Sequence, residues 1–513
     1  MIDSWYMGTI IVGKQNGGII LMDQQLSITE SGWVFGPAVK GIRMDSRLVQ
    51  PGDVFVAVSG SSLDGHEFIQ QAVEKGAVAI VGEKPVGTLS VPYIQVMSSR
   101  EAAADLAASF YRHPSKDLIT VAVTGTNGKT SVVYWLSAIL NEAHIKTGLV
   151  SSVTNNVVCR QLPASLTTPE SPDLQEYLDE IRQCGGQAAV VEVSSHGIVQ
   201  QRVRNMVFKL AILTNITREH LDFHGTMERY VDAKATLFRM LESESLGAVL
   251  NADDLHFRTV ALATKAKVTS YGIDSGDIRG HILREMPWST DIQIVGLGLD
   301  FGTRINHPGR YNVYNVLAVT AAALQMGVSP ELLQKQIPKL PAVPGRMQVT
   351  GQGEGPLAVI DYAHTPDGLY QSLLTVTRFT DGNVWLVFGA RGGRDQGKRA
   401  EMGRIAARHA DHVVVTADSP NFEDPQKIAD ALIEGIRQVN ENKLEVVDLN
   451  RASAIKFAVH QAQKNDVILI TGRGPETVQH FGNEEVYLVD AEVVEQALQE
   501  RWRQEGSHVP GLS

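Results

Sequence analysis

A strand, a glycine-containing loop and a helix start follow one another in residues 118–131, which read LITVAVTGTNGKTS. The apolar, β-branched run 119–123 predicts a buried strand, and the residues after Lys129 favour a helix. Backbone N–H groups of such a loop, the positive end of the helix dipole and one lysine together bind nucleotide phosphates. The pattern therefore predicts a phosphate-binding loop, and the hydroxyl of Thr130 stands where it would contact Mg²⁺.

The match to the standard phosphate loop is incomplete. The standard motif begins with a glycine at the position that Val123 occupies here, and this loop has Gly125 and Gly128 instead. A strand-to-helix turn that binds no ligand is the alternative interpretation. The reaction must be inferred from other residues.

Two further polar clusters directly follow apolar strands. Glu192 follows the run AAVV, and a carboxylate at the carboxyl end of a strand lies where ligands bind in open α/β sheets. It could bind a hard cation, or Ser194 or Ser195 after it could simply cap a helix. His220 and Asp222 lie in TNITREHLDFHG, where they could serve as metal or water-network groups, although a lone histidine is more often structural.

Two more clusters lie farther along the chain. Asn312 and Asn315 share one helical face and could bind a base edge or a diphosphate, or else cap a helix. The segment 361–366, DYAHTP, and the basic segment 391–399, RGGRDQGKR, both follow apolar runs. Arginine and lysine at such strand ends suit binding of carboxylate or phosphate.

Composition narrows the class of protein. A chain of 513 residues corresponds to about three domains, and its net charge of −11 argues against nucleic acid as the main partner. Cys159 and Cys184 have no metal-site spacing, so we expect packing residues, no disulfide and a reducing compartment. No apolar run is long enough to span a membrane, and the first 22 residues do not read as a signal peptide. We expect a cytoplasmic protein.

Strand-like runs alternate with helical stretches such as 227–241, which predicts doubly wound parallel sheets of the α/β class. Polar breaks near 113–115 and 344–346 divide the chain into three α/β domains, with a cleft between the second and the third. Residues 265–306 have shorter alternating strands and are expected to form an antiparallel appendage.

The ordered set of motifs resembles the Mur ligase family, within it the UDP-N-acetylmuramoyl-tripeptide synthetase (MurE-type) branch. The similarity extends over residues 45–476 and rests on DSRLVQPGD, DGHEF, GTNGKTS, TTPE, EVSSH, EHLDFHG, GRYNVYN, PGRM, DYAHTP and GKR. It implies a UDP-binding α/β domain in residues 1–114 and a central P-loop ATPase-like domain, a doubly wound parallel sheet, in 115–346. A Rossmann-like α/β domain in 347–513 would bind the incoming amino acid.

The resemblance also implies the reaction. The family uses ATP and Mg²⁺ to convert the side-chain carboxylate of UDP-MurNAc-L-Ala-D-Glu into an acyl phosphate, which an amino acid then attacks. We expect these small molecules as partners, with no nucleic acid and no membrane insertion, and we expect a monomer. Two anions must meet in such a step, so Lys129 and Mg²⁺ must screen them.

Site residues are carried over from the family's motifs. Thr130, Glu192 and His220 would organise Mg²⁺, and Lys234 would be a carbamylated lysine, which requires a depressed amine pKa. The nucleotide would contact the loop and three later positions: Gly125, Thr126, Asn127, Gly128, Lys129, Thr130, Ser131, Asn312, Arg346 and Asp361. The UDP-MurNAc moiety would contact Ser46, Thr167, Thr168, Ser194, Gln200 and Arg202. The amino acid would contact Arg394, Asp418, Ser419, Pro420, Asn421, Gly472 and Glu476.

Departures from the family pattern leave the amino acid open. Enzymes specific for meso-diaminopimelate carry Asp-Asn-Pro-Arg, whose arginine holds the distal carboxylate, and this chain has Asn421 in its place. We therefore expect lysine, ornithine or a related diamino acid to gain relative to meso-diaminopimelate, with Asp418 and Glu476 binding the ammonium group. The alternatives are a paralogue with another amino acid or acceptor, a non-catalytic nucleotide-binding paralogue, and a folylpolyglutamate synthase.

Overall fold

The computed structural model describes residues 26–29, 32–60, 63–286, 288–350 and 355–505. The prediction that the first 22 residues are not a signal peptide lies outside these ranges. Within the described part of the chain, no helix is both long and apolar enough to cross a bilayer.

The first part of the chain forms a small parallel sheet in the order β3-β4-β5-β6, with a separate hairpin before it. Ile42, Val54 and Val81 pack against the helix Ser99–Phe110, whereas Phe55 and Ile80 face the helix Ile69–Glu74. The elements are β1 (Leu26–Thr29), β2 (Gly32–Phe35), β3 (Gly41–Arg43), β4 (Asp53–Val56), α1 (Ile69–Glu74), β5 (Ala79–Gly82), β6 (Tyr93–Gln95) and α2 (Ser99–Phe110), with 3₁₀ turns at Ser46–Leu48 and Gly65–Phe68.

An 11-stranded sheet forms the middle of the molecule, in the order β10-β9-β8-β11-β7-β12-β13-β14-β15-β16-β17. Its strands are β7 (Ile119–Thr124), β8 (Thr147–Val150), β9 (Thr154–Asn156), β10 (Gln161–Pro163), β11 (Ala188–Glu192), β12 (Leu210–Leu213), β13 (Gly247–Asn251), β14 (Val268–Gly272), β15 (Ile278–Met286), β16 (Ser289–Gly296) and β17 (Leu299–Ile305). Its helices are α3 (Lys129–Glu142), α4 (Ser171–Gln183), α5 (Ser195–Val199), α6 (Leu221–His224), α7 (Met227–Arg239), α8 (Phe257–Ala261), α9 (Arg310–Gln325) and α10 (Pro330–Gln336), with 3₁₀ turns at Pro114–Lys116 and Ile337–Lys339.

Helices cover both faces of this sheet, which explains why its central strands are apolar without alternation. On β7, Val121 and Val123 face a core shared with α3 and α9, whereas Ala122 faces the core under α4 and α7. The strands from β8 through β11, β7, β12, β13 and β14 to β15 pair in parallel. The predicted parallel α/β fold and the helix beginning at Met227 are confirmed.

The prediction for residues 265–306 needs correction. Strands β15, β16 and β17 are antiparallel as expected, but they continue the central sheet through the parallel β14–β15 pair and do not form a separate appendage. The reason is that Ile292, Ile294 and Phe301 join the same apolar core as α3 and α9.

The last part of the chain forms a six-stranded sheet in the order β18-β19-β23-β20-β21-β22, parallel except at β18. Helices α11, α12 and α13 pack on one face, and α14 and α15 pack on the other. The elements are β18 (Gln348–Thr350), β19 (Leu357–Asp361), α11 (Pro366–Thr377), β20 (Val384–Phe388), α12 (Lys398–His409), β21 (His412–Val415), α13 (Pro425–Arg437), β22 (Leu444–Val447), α14 (Arg451–Gln461), β23 (Val467–Thr471), β24 (Val478–Phe481), β25 (Glu484–Tyr487) and α15 (Asp490–Glu505), with a 3₁₀ turn at Glu441–Lys443.

The two cysteines correct another expectation. Cys159 and Cys184 form a disulfide, with their Cα atoms 6.0 Å apart, and are not separate packing residues. Cys159 lies between β9 and β10, and Cys184 ends α4. The pairing depends on the way α4 folds back beside the β9–β10 hairpin, which the spacing of two cysteines does not reveal.

Candidate active site

The predicted phosphate-binding loop connects the end of β7 to the first residue of α3. Gly125 and Gly128 both have positive φ, at 151° and 84°, a region that favours glycine. A Cβ on Gly125 would lie 1.9 Å from Thr214 Oγ1, and one on Gly128 would lie 2.3 Å from Asn315 Oδ1. The neighbouring strand end and helix α9 therefore hold the loop so closely that only glycine fits at these two positions.

Side chains at the end of β12 fix the remainder of the loop. The hydroxyl of Thr214 donates to Asn127 O at 2.6 Å, and Asn215 Oδ1 accepts from Asn127 N at 2.9 Å. Thr126 lies beneath, with its hydroxyl 3.0 Å from Tyr230 Oη. The loop is thus held in one conformation by the strand next to it.

Two lysines converge on this loop. Lys129 Nζ donates to Gly125 O at 3.1 Å and to Thr126 O at 2.9 Å. Lys234, from α7, is almost fully buried, and its Nζ donates to the same Gly125 O at 2.7 Å. Burial, together with the charge of Lys129, lowers the pKa of Lys234 well below its ordinary value. A lowered pKa favours the uncharged amine, and an uncharged amine can react with carbon dioxide to form a carbamate.

A hydroxyl and a carboxylate meet behind the loop. Thr130 Oγ1 donates to Glu192 Oε2 at 3.1 Å, and the backbone N–H of Ser152 donates to the same oxygen at 3.0 Å. Arg346, from the segment that leads to the last domain, donates to Thr130 Oγ1 at 2.9 Å. The structure therefore brings Thr130 and Glu192 together, as the sequence led us to expect, and adds Ser152 and Arg346 to them.

His220 lies in a cluster of aromatic rings rather than alone. Its ring contacts that of His196 edge to face, with centroids 4.6 Å apart. Burial lowers the pKa of His220 to about 3, although Glu219 opposes the shift, and burial also lowers the pKa of His196 to about 4. Both rings therefore favour the neutral form, in which one ring nitrogen can accept a hydrogen bond or bind a cation.

No group of three or more His, Cys, Asp or Glu side chains within the described ranges is placed to hold a metal alone. The hydroxyl of Thr130 and the carboxylate of Glu192 are nevertheless oxygen donors, which suit Mg²⁺, and they lie beside the phosphate loop. Mg²⁺ takes few protein ligands and completes its shell with water and substrate phosphate. The residues present therefore fit a magnesium site shared with a nucleotide.

The residues predicted to bind the UDP-MurNAc moiety divide into two groups. Thr168 Oγ1 donates to Glu192 O at 2.9 Å and accepts from Ser194 N at 2.9 Å, while Arg202 Nη1 donates to Thr168 O at 2.8 Å. Among the described residues, Arg202 Nε and Gln200 Oε1 are buried without a hydrogen-bond partner. These unpartnered atoms are available to a polar ligand beside Glu192.

The other two residues predicted to bind the UDP-MurNAc moiety are Ser46 and Thr167, and within the described part of the chain their side chains form no hydrogen bond with this group. Ser46 lies on the first domain, where its hydroxyl donates to Gln71 Oε1 at 2.7 Å, and Thr167 is half-buried beside Thr168. A salt bridge of 2.8 Å between Arg202 and Glu170 continues at 3.5 Å to Arg100 of α2, so charged groups connect the two domains here.

Two of the predicted nucleotide residues are engaged within the protein. Asn312 is buried, donates to Pro308 O at 2.8 Å and accepts from Asn315 at 3.1 Å. Asp361 accepts from Met347 N at 2.8 Å and Ala363 N at 3.0 Å. Asn312 therefore orders the start of α9, where Asn315 lies against Gly128 of the loop. Asp361 orders the segment from which Arg346 reaches the loop.

The predicted amino-acid residues gather on the last domain, at the carboxyl ends of its strands. Asp418, Ser419 and Pro420 follow β21, and Gly472 and Glu476 follow β23. A Cβ on Gly472 would lie 2.6 Å from Asp418 Oδ2, so the two loops are in contact. Arg394 is exposed across the cleft, and its charge helps to lower the pKa of His196, after burial itself.

The sequence did not indicate how the central and last domains contact each other. Glu219 is buried, and its carboxylate lies 3.0 Å from His364 Nε2. Asn127 donates to Asp367 at 3.2 Å nearby. Glu219 lies in the motif TNITREHLDFHG and His364 lies in DYAHTP. Their contact across the cleft depends on the three-dimensional arrangement of the two domains, which the sequence pattern does not reveal.

Three family models match consecutive parts of the chain. They are described as the Mur ligase family catalytic domain, over residues 38–111, the Mur ligase middle domain, over 123–323, and the Mur ligase glutamate ligase domain, over 345–474. Together they account for most of the chain.

Individual relatives and solved structures are also Mur ligases. A protein of Geobacillus thermodenitrificans named UDP-N-acetylmuramoyl-L-alanyl-D-glutamate–2,6-diaminopimelate ligase is 38% identical over 91% of this chain and 96% of its own. A solved structure of a ligase with the same name is 30% identical, with a TM-score of 0.60, and covers 90% of this chain and 95% of that one. The MurF ligase of Thermotoga maritima, solved in complex with ADP, shares the fold with a TM-score of 0.61 at 20% identity, covering 91% of this chain and 98% of that one.

Proposed function

The chain belongs to the Mur ligase family, and we propose that it is an ATP-dependent amide ligase that adds a diamino acid to UDP-MurNAc-L-Ala-D-Glu in peptidoglycan synthesis. The diamino acid is of the lysine or meso-diaminopimelate type. The observation that carries this proposal is the convergence of Lys129 and Lys234 on one loop carbonyl, with Thr130 and Glu192 in contact beside it. That arrangement places one lysine and several oxygen ligands for a cation where two anions must be brought together.

The first step joins the D-glutamyl side chain to phosphate. A carboxylate oxygen attacks the γ-phosphorus of ATP, the bond to the β-phosphate oxygen breaks, and ADP leaves behind an acyl phosphate. Lys129 and the N–H groups at the start of α3 stabilise the negative charge that develops on the phosphate oxygens. Mg²⁺, held by Thr130, Glu192, His220 and carbamylated Lys234, would neutralise further charge on the nucleotide.

The second step forms the amide bond. The amine of the incoming amino acid attacks the acyl carbon, the bond from that carbon to the phosphate oxygen breaks, inorganic phosphate leaves, and the proton lost by the nitrogen passes to solvent. The amino acid comes from the last domain, so Arg394, Asp418 and Glu476 must orient it toward the loop. Holding the two reactants in line contributes to the rate by removing their freedom to diffuse apart.

We assign the three domains as residues 1–114 for UDP, 115–346 for ATP and 347–513 for the amino acid. Ser46 belongs to the first, and the second contains Thr167, Thr168, Ser194, Gln200 and Arg202, of which Arg202 is joined through Glu170 to Arg100 of the first. Asn312 lies in α9 of the second, Arg346 and Asp361 lie where the second meets the third, and all three would complete the nucleotide site. We expect a monomer, and we expect it in the cytoplasm because ATP is supplied in that compartment.

The test is a ligation assay with UDP-MurNAc-L-Ala-D-Glu, Mg-ATP and a panel of amino acids. We expect ADP, phosphate and a UDP-MurNAc-tripeptide in equal amounts, measured by coupled assay and mass spectrometry. ATP binding without a tripeptide product from any amino acid would contradict the proposal and would favour a non-catalytic paralogue.

A further inference from the structure

Two loops of the last domain form one unit at the amino-acid site. Gly392 N donates to Ser419 O at 3.0 Å, and Asn421 Nδ2 donates to Gly392 O at 2.9 Å and to Ser419 O at 3.2 Å. A Cβ on Gly392 would lie 1.8 Å from Pro420 O. The loop that carries Arg391 is therefore fixed on the loop that carries Asp418.

Asn421 uses its amide for this attachment. Its Nδ2 group has two hydrogens, and two backbone carbonyls accept from it. Its backbone is left-handed, with φ of 54°, a conformation that asparagine adopts more readily than most residues. Asn421 consequently holds the Arg391 loop in place, and its donors are directed at the protein rather than at a substrate.

Arg391 lies between the two acidic residues of the site. Its Nη2 donates to Glu476 Oε2, and its Nε lies 3.7 Å from Asp418 Oδ1. Burial alone would lower the pKa of the Arg391 guanidinium. The nearby Asp418, Tyr362 and Glu476 have the larger combined effect, so the pKa is raised. Within the described part of the chain, these contacts use Nη2 and Nε, which leaves the Nη1 donors for a ligand.

Asp418 keeps an acceptor available as well. Its side chain is 1% exposed, and among the described residues no hydrogen bond reaches its Oδ1. Arg391, Arg451 and Arg473 lower the pKa of this carboxyl despite its burial. The two loops thus place a buried carboxylate oxygen and a guanidinium side by side, which matches a group that carries an ammonium and a carboxylate on one carbon.

We infer that Arg391 binds the distal carboxylate of a diamino dicarboxylic acid such as meso-diaminopimelate. It would take the role of the arginine that Asn421 replaces. The inference rests on the proposed function and names the residue that sets its amino-acid specificity. Asp418 and Glu476 bind the distal ammonium, and Arg391 forms charge-assisted hydrogen bonds with the carboxylate next to it. Lysine and ornithine have no such carboxylate, and they bring a second cation beside Arg391.

The test compares kcat/KM for meso-diaminopimelate, L-lysine and L-ornithine in the wild-type protein and in Arg391→Met. We expect the wild type to prefer meso-diaminopimelate. The variant should lose about 10- to 100-fold in kcat/KM for meso-diaminopimelate, mainly through KM, because a charged hydrogen bond is removed. Its kcat/KM for lysine should stay within about threefold or rise, because the competing cation is gone.

Two further variants separate specificity from folding. Arg391→Lys keeps a positive charge between the acids, so it should fold like the wild type and retain an intermediate preference for meso-diaminopimelate. Arg437→Met, which removes an exposed arginine paired with Glu441 in the same domain, should change neither activity nor melting temperature.

Equal losses of kcat/KM for all three amino acids in both Arg391 variants would overturn the inference. They would mean that the ion pair of Arg391 with Glu476 has a structural role only. A wild-type preference for lysine or ornithine would also overturn it, while the tripeptide product would still support the proposed function. Absence of product from every amino acid would overturn the proposed function, and the inference with it.

Discussion

Lys129 and Lys234 are far apart in the chain, yet both donate to the same carbonyl oxygen, that of Gly125. Lys129 is partly exposed at the start of α3, whereas Lys234 is buried and lies 4.6 Å from the centre of the Tyr230 ring. The proximity of two cations favours the neutral amine in the buried one. The pair therefore divides two tasks, since Lys129 lies on the loop that would bind phosphate and the buried Lys234 can be converted into an anion.

Lys129→Ala should reduce ligation at least about 100-fold, because one of the groups that stabilise transition-state charge is lost. The side chain is partly exposed, and its hydrogen bonds are to loop carbonyls, so the fold should persist. ADP release and a circular-dichroism melting curve measure the two effects, with the exposed Lys265→Ala as the control. Near wild-type turnover in a folded Lys129→Ala protein would exclude the assignment of the phosphate loop.

Lys234→Ala should be nearly inactive and should regain part of its activity in the presence of acetate. A short carboxylic acid can supply the anion that a carbamate on Lys234 would provide. In wild-type protein equilibrated with ¹³C-bicarbonate, a carbamate carbon signal should appear in the NMR spectrum and be missing in the variant.

Lys129→Ala is the matched control for that rescue, because its lost group is a cation and acetate cannot replace it. Unmodified Lys234 in a fully active protein with ATP and Mg²⁺ bound would rule out the carbamate. Equal effects of acetate on both variants would mean a nonspecific salt effect.

Local features of this fold could be predicted from sequence, and contacts between distant segments could not. The apolar run of β7, its glycine loop and helix α3 are consecutive, so their pattern was sufficient. The contact of Arg391 with Glu476 depends instead on β20 lying beside β23, and strand order is not encoded in periodicity.

The same limit applies to Asn421, whose role the sequence predicts only by comparison with the arginine that related enzymes have at this position. Its sequence context suggested a lost substrate contact, because an arginine was expected there. Its actual partners, Gly392 O and Ser419 O, became visible only when the two loops were placed together. The disulfide between Cys159 and Cys184 was missed for the same reason.

Gly128→Ala should lower both stability and activity. The φ of 84° is unfavourable for alanine, and the new Cβ would lie 2.3 Å from Asn315 Oδ1. We expect a loss of about 1–3 kcal/mol in unfolding free energy from strain and crowding. Denaturant titration measures it, and Gly87→Ala, where no atom lies within 4 Å, should be neutral. Equal stability of the two variants would show that the loop can relax away from α9.

His364→Gln should weaken the closure of the last domain on the central one. The His364 ring lies 3.0 Å from the buried carboxylate of Glu219, and the contact joins the two sides of the cleft. Burial alone would raise the pKa of Glu219, but His364, His220 and Lys129 hold it below its ordinary value, so the carboxylate is charged. We expect KM for the amino acid to rise about 10-fold with kcat less affected.

The matched control is His412→Gln, because His412 contacts Glu445 at 2.7 Å within the last domain and spans no cleft. Small-angle scattering with ATP and UDP-MurNAc-L-Ala-D-Glu present should give a larger radius of gyration for His364→Gln than for the wild type and the control. The kinetic and scattering changes must occur together, since both follow from a more open cleft. A rise in KM at an unchanged radius of gyration would show that His364 contacts a substrate instead of holding the domains together.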